Sequence, residues 1–192
     1  MPQDDYLKRL CPGAYQGESW VHWSLTMDGR ATGWLDPRFL YRFREILTHT
    51  GFRHRIACLV YCLMPDHVHM LWHGLADDSD QRAATSFFRK QTNLSLKRIG
   101  FRWQLQAYDR VLRDTEVEQT ELRAIVEYIV RNPERAGLID HKRFASYAYS
   151  GCRLPGFPDL RLFEEDSWPR LWRALSYLKR TDLFHVADSK RG

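Results

Sequence analysis

Ile56-Ala57-Cys58-Leu59-Val60-Tyr61-Cys62-Leu63-Met64, then Pro65-Asp66, then His67-Val68-His69-Met70-Leu71-Trp72-His73 is the stretch that decides the fold. The first run is apolar on both faces, as in a central strand covered from two sides. Pro65-Asp66 interrupts it, and the second run follows so closely that the two should pair as an antiparallel hairpin. Side chains two apart on a strand share a face, so His67 and His69 converge while Val68, Met70 and Trp72 enter the core.

Upstream, Val21-His22-Trp23-Ser24-Leu25 alternates as a half-buried strand does, before a turn at Asp28-Gly29. Asp36-Pro37 then opens a helix, with Asp36 as N-cap and Pro37 at its first position, carrying Phe39, Phe43, Ile46 and Leu47. Downstream, residues 81–99 read as a helix whose Ala84, Phe87, Gln91 and Leu94 share one side, with Arg82, Arg89, Lys90 and Lys97 on another. Trp103 to Arg113 reads as a strand, and Thr115 with Glu118 as a capping box that starts a helix ending near Asn132-Pro133. The order β-α-β-β-α-β-α predicts an α+β fold of the ferredoxin-like or RRM-like plan, an antiparallel sheet with helices on one face, followed by an added helix. From Ser167-Trp168-Pro169 a last amphipathic helix carries Leu171, Trp172, Leu175 and Leu178. We therefore expect one domain over residues 1–150 and a C-terminal helical extension, 151–192, packed against it.

The 29 basic and 24 acidic residues of the 192-residue chain leave a net charge of +5, which favours a polyanionic partner without identifying one. Aromatics make up 14%, enough to serve both a core and base-stacking surfaces. Cys11, Cys58, Cys62 and Cys152 lack paired CxxC spacing, which argues against a structural zinc cluster and for reduced, mostly buried thiols. No apolar run approaches the roughly 18 residues needed to span a bilayer. The N-terminus, with Asp4, Asp5, Lys8 and Arg9, does not resemble a signal peptide, so a cytoplasmic protein is expected.

Two imidazoles at the His67–His69 spacing can share one divalent metal, although an isolated HxH more often supplies ordinary surface histidines and names no reaction. His73 extends the same face and reads as structural or DNA-facing. On the helix after Thr115 the apolar stripe is Leu122, Ile125, Val126 and Ile129, beside a strip of Glu121, Ala124, Tyr128 and Asn132. Taken alone, Tyr128 at the core margin is a packing residue with its hydroxyl in solvent. The i, i+4 relation still permits Tyr128 as nucleophile and Asn132 as an oxygen donor to a metal on the sheet.

Together these features resemble the single-tyrosine HUH transposases of the IS200-like type, specifically the REP-associated tyrosine transposases. The match comprises Leu63-Met64-Pro65-Asp66-His67-Val68-His69, the basic helix, and Tyr108-Asp109-Arg110-Val111-Leu112-Arg113. It continues with Tyr128-Ile129-Val130-Arg131-Asn132-Pro133-Glu134-Arg135-Ala136-Gly137-Leu138, and spans about residues 15–150.

The resemblance implies a transposase or endonuclease that cleaves and rejoins single-stranded DNA through a 5′-phosphotyrosine. Tyr128 would be its nucleophile, and His67, His69 and Asn132 would hold Mg²⁺ or Mn²⁺. Asparagine stands where other members of the wider group have glutamine. Hairpin-bearing DNA, either repetitive extragenic palindromes or transposon ends, is the implied substrate, handled by a monomer or a homodimer at the nucleoid. Arg82, Arg89, Lys90, Lys97, Arg131 and Arg135 are the candidate DNA contacts. Two other readings stay open: a domesticated, non-catalytic nucleic-acid-binding protein of the same fold, and a phosphoesterase that activates water at the HxH pair. An RRM is disfavoured because the strands carry no paired aromatic RNP pattern.

Overall fold

In the computed structural model, which describes residues 9–158 and 160–181, the elements run β1 (Trp20–Thr26), α1 (Pro37–His54), β2 (Ile56–Leu63), β3 (His67–Gly74), α2 (Gln81–Lys97), β4 (Tyr108–Val111), α3 (Gln119–Val130), α4 (Asn132–Arg135), β5 (Ser150–Arg153) and α5 (Ser167–Arg180). Asp4, Asp5 and Lys8 lie outside the described residues. The strands form one antiparallel sheet in the order β4-β1-β3-β2-β5, the ferredoxin-like arrangement with β5 added to the free edge of β2.

The β2–β3 hairpin closes where Met64 N donates to His67 O at 2.7 Å around Pro65-Asp66. A bulge between Cys58 and Val60 resets the alternation of β2. Ile56, Cys58, Tyr61 and Leu63 therefore face one core, while Ala57, Leu59, Val60 and Cys62 face another. That is why β2 is apolar throughout.

The first core lies under α1 and α2, where Trp23, Trp72, Phe43 and Phe88 are fully buried. Phe43 packs its ring 5.3 Å from both Tyr61 and Phe88. α1 starts as expected: Asp36 Oδ1 accepts from Phe39 N at 2.6 Å, satisfying one of the free amides of the first turn. The second core lies on the opposite face, where α3 contributes Leu122, Val126 and Ile129 and α5 contributes Leu171, Leu175 and Leu178. The added helix α3 and the C-terminal helix α5 thus form a further layer, and α1 and α2 share the other face.

Three local expectations shift. The strand expected over Trp103–Arg113 is confined to Tyr108–Val111; Trp103 makes only an isolated bridge to Met27. The Tyr128 helix begins at Gln119 rather than Thr115, because Asp114–Glu116 first wind a tight turn in which Glu116 Oε2, not Glu118, accepts from Arg113 N at 3.0 Å. The buried stripe of α2 is Ala84, Phe88, Thr92 and Leu96, whereas Leu94 is exposed. Thr92 can be buried there because its hydroxyl donates to Phe88 O at 2.9 Å.

Candidate functional site around His67 and His69

The histidines of β3 fall on the α3/α5 face, opposite the Trp23–Trp72 core. Their Nε2 atoms stand 3.1 Å apart, with the rings nearly perpendicular. β1 lies beside β3 in a register that pairs Ser24 with His69 and His22 with Leu71, so His22 sits diagonally across from His69 on the same face. Its Nε2 lies 3.2 Å from His69 Nδ1. On the other side, His67 Nδ1 lies 2.6 Å from Asp66 Oδ1, and Arg30 donates to Asp66 Oδ2 at 2.9 Å.

These contacts constrain the tautomers. A carboxylate accepts only, so His67 Nδ1 carries the proton and a neutral His67 presents a bare Nε2. His69 is driven neutral: burial pushes it down to about 3, helped by His22, His67 and the Arg135 charge, with Asp66 opposing. Burial, then Arg110, lowers His22 to about 4. Burial alone would raise the Asp66 carboxyl, but hydrogen bonds from His67 and Arg30 hold it below its ordinary value. At neutral pH His22 and His69 are uncharged, the form in which imidazole binds cations.

Two nitrogens each about 2.1 Å from an ion, at adjacent octahedral positions, stand about 3.0 Å apart. The His67–His69 separation fits that requirement. Among the described residues, no group of three or more His, Cys, Asp or Glu side chains is arranged to hold a metal. His22 and Asp66 explain why: each faces the Nδ1 edge of a histidine, behind the paired Nε2 atoms.

Tyr128 is 57% exposed on α3. Arg135, from α4, lies with its guanidinium 3.9 Å from the centre of the Tyr128 ring. It donates to Tyr128 O at 2.6 Å and to Asn132 Oδ1 at 3.0 Å, and its charge is felt at His69. Asn132 Nδ2 donates to Ile129 O at 2.9 Å, so both ends of that amide are engaged, leaving one lone pair on Oδ1. α3 and α4 thus carry Tyr128, Asn132 and Arg135 as one cluster on the histidine side of the sheet.

The other basic candidates separate. Arg131 turns to Glu127 at 2.7 Å and Glu134 at 3.3 Å, over the Phe144 ring. Arg89 donates to the carbonyls of Gln104 and Leu105, bracing the segment before β4. Arg82, Lys90 and Lys97 are exposed on α2, which covers the face away from His67 and His69. His73 is buried and stacks on Trp20, 3.8 Å between ring centres, so it faces the interior and not solvent. The four cysteines are free thiols, Cys11 exposed and the others buried. No described helix is long and apolar enough to cross a membrane.

His22 is the member of the cluster that the sequence alone does not single out. Its one signal is its place on the polar side of the alternating Val21–Leu25 strand; the register that brings it to His69, 47 residues away, is set by the fold.

No protein-family model and no curated protein matches the chain. Among solved structures, the chain is similar to the REP-associated tyrosine transposase bound to a REP hairpin, with a TM-score of 0.60 and 18% sequence identity. The match covers 77% of this chain and 82% of the other. The two chains share a fold.

Proposed function

We propose that this chain is a REP-associated tyrosine transposase that cleaves and rejoins single-stranded, hairpin-bearing DNA, with Tyr128 as nucleophile. The observation that carries the reading is the His67–His69 pair, its Nε2 atoms facing each other with Asp66 and His22 behind them, on the face of the sheet covered by α3, the helix that carries Tyr128. The solved transposase of the same fold was captured on a REP hairpin, which supports a hairpin of that kind as the partner here.

In this reading the Tyr128 oxygen attacks the scissile phosphorus, forming a phosphotyrosine bond as the bond from phosphorus to the 3′-oxygen breaks. The phenol proton is lost, and the departing 3′-oxygen gains a proton. The phosphate stays on the 5′ side, so the reverse attack by another 3′-hydroxyl restores a continuous strand without an external energy source. His67 and His69 would hold a Mg²⁺ or Mn²⁺ ion, with Asn132 Oδ1 as a further donor. Such an ion supplies Lewis-acid polarisation of the phosphate and stabilises the leaving oxygen. Asp66 fixes the tautomer of His67, a bare His22 Nε2 would accept from His69 Nδ1 and leave His69 Nε2 free for the ion, and Arg135 would orient the Tyr128 ring and offer a cation to the phosphate. Whether one copy or two complete the reaction, Tyr128 must reach the paired Nε2 atoms.

A labelled single-stranded hairpin incubated with the protein and Mn²⁺ should yield a shortened strand and a denaturation-resistant protein–DNA adduct, and EDTA should suppress both. Cleavage without an adduct would contradict the tyrosine route and favour activated water. Because, among the described residues, no third His, Cys, Asp or Glu joins the facing Nε2 atoms of His67 and His69, binding without cleavage is the second reading; it predicts hairpin affinity indifferent to EDTA and no product.

A further inference from the structure

A groove of about 1150 Å³ runs along α5, and none of the residues lining it belongs to the His22–His67–His69 cluster. One wall is Phe157 and Pro158. The other is a stripe of α5 in which Arg170, Arg173, Tyr177 and Arg180 recur at i, i+3, i+7 and i+10, one side of a helix over about 15 Å. The opposite side of α5, with Leu171, Leu175 and Leu178, is spent on the second core, so this stripe has no packing role there.

Charge and aromatic character alternate along the groove. Arg170 lies 3.6 Å from both Glu164 and Asp166, but among the described residues no carboxylate pairs with Arg173 or Arg180, whose Nε donates only to Ser176 O. Tyr177 is 46% exposed and meets the Phe157 ring edge to face at 6.0 Å, leaving part of its ring to solvent. Unpaired cations spaced along a groove that also presents Tyr177, Phe157 and Trp172 suit a chain of phosphates bearing unpaired bases that stack on aromatic rings. The volume exceeds that of most small-molecule pockets, and the groove is open along its length, as an extended ligand requires.

We propose that this α5 groove binds single-stranded nucleic acid, holding the unpaired segment beside a hairpin, with Arg173 and Arg180 on phosphates and Tyr177 against a base. This rests on the DNA reading above but assigns a surface separate from the cleavage site.

The test is fluorescence anisotropy of the full chain with two labelled DNAs, a bare hairpin and the same hairpin with a single-stranded extension of about ten nucleotides. Arg173→Gln combined with Arg180→Gln should weaken binding of the extended hairpin about tenfold and reduce the salt slope by about 1.4. Tyr177→Ala should weaken it about tenfold. Both should leave the bare hairpin at the parent's affinity, and Arg38→Gln, an exposed arginine of α1, should leave both DNAs unchanged. Equal binding of the extended hairpin by parent and groove variants, with the parent still cleaving, overturns the groove assignment alone. Failure of the parent to bind either DNA overturns the DNA reading and the groove together. Dimerisation that the groove substitutions abolish while DNA affinity stays at the parent's value would make the groove a contact between copies, and would also overturn it.

Discussion

The two faces of the sheet are built from alternate residues of the same strands and have opposite characters. On the α1/α2 face, Val21, Trp23 and Leu25 of β1 meet Val68, Met70 and Trp72 of β3, all buried among aromatic rings. On the α3/α5 face the intervening residues include His22, His67 and His69, only partly covered, beside an exposed Tyr128. Both faces carry a buried core, but only the α3/α5 face also sets a group of imidazoles at the core's edge. Pleating separates the two jobs residue by residue, so a substitution should affect one without the other.

The largest expected separation is at His67 and His69. His67→Ala or His69→Ala should abolish cleavage in an adduct gel, yet leave hairpin affinity and the thermal midpoint close to the parent's; unchanged cleavage would remove the metal seat. Next is Phe43→Ala on the aromatic face, which should cost about 3–5 kcal/mol in denaturant unfolding through the cavity it leaves, with residual folded protein still binding Mn²⁺. His22→Ala should weaken Mn²⁺ binding by about 10–100-fold in calorimetry, and His22→Gln, which can still accept from His69, should recover much of it. Equal losses in both variants would mean that His22 does more than orient.

The smallest effect concerns pH. Burial holds His73 at about 3, below its unfolded value of about 6.5. The unfolded chain therefore binds more protons between those limits. Stability is full above about 6.5, falls as pH drops through the window, and stops falling from this cause near 3. Between pH 6.5 and pH 5 His73 alone should account for about 1.6 kcal/mol of that loss, and His73→Phe should make the curve shallower by that amount, leaving the slope due to His22 and His69. The same slope in both proteins would contradict the assignment.

The fold was legible because β2 and β3 announce themselves: a run apolar on both faces, a Pro65-Asp66 break, and an alternating partner. What escaped was set by competition between local signals. Thr115 and Glu118 imitate a cap, yet Glu116 reaches the Arg113 amide first. Phe87 and Phe88 are adjacent and equally apolar, and only the buried Thr85 and Thr92 show which side of α2 turns inward. Of the proposed site, the convergence of His67 and His69 follows from strand alternation, whereas Tyr128 and Asn132 stand out only through the family resemblance of the Tyr128–Leu138 segment. Arg135's place over the Tyr128 ring and His22's place behind His69 depend on how elements dock, which no local spacing encodes.

The proposed reaction requires Tyr128, on the half-open face, to become covalently joined to DNA. The most direct measurement compares the parent and Tyr128→Phe on a labelled single-stranded hairpin with Mn²⁺, followed by denaturing electrophoresis and peptide mapping of any adduct. An adduct on the Tyr128 peptide is expected in the parent and none in Tyr128→Phe, with hairpin binding equal in both. An adduct of equal yield in Tyr128→Phe, or one mapped to another residue, would contradict it.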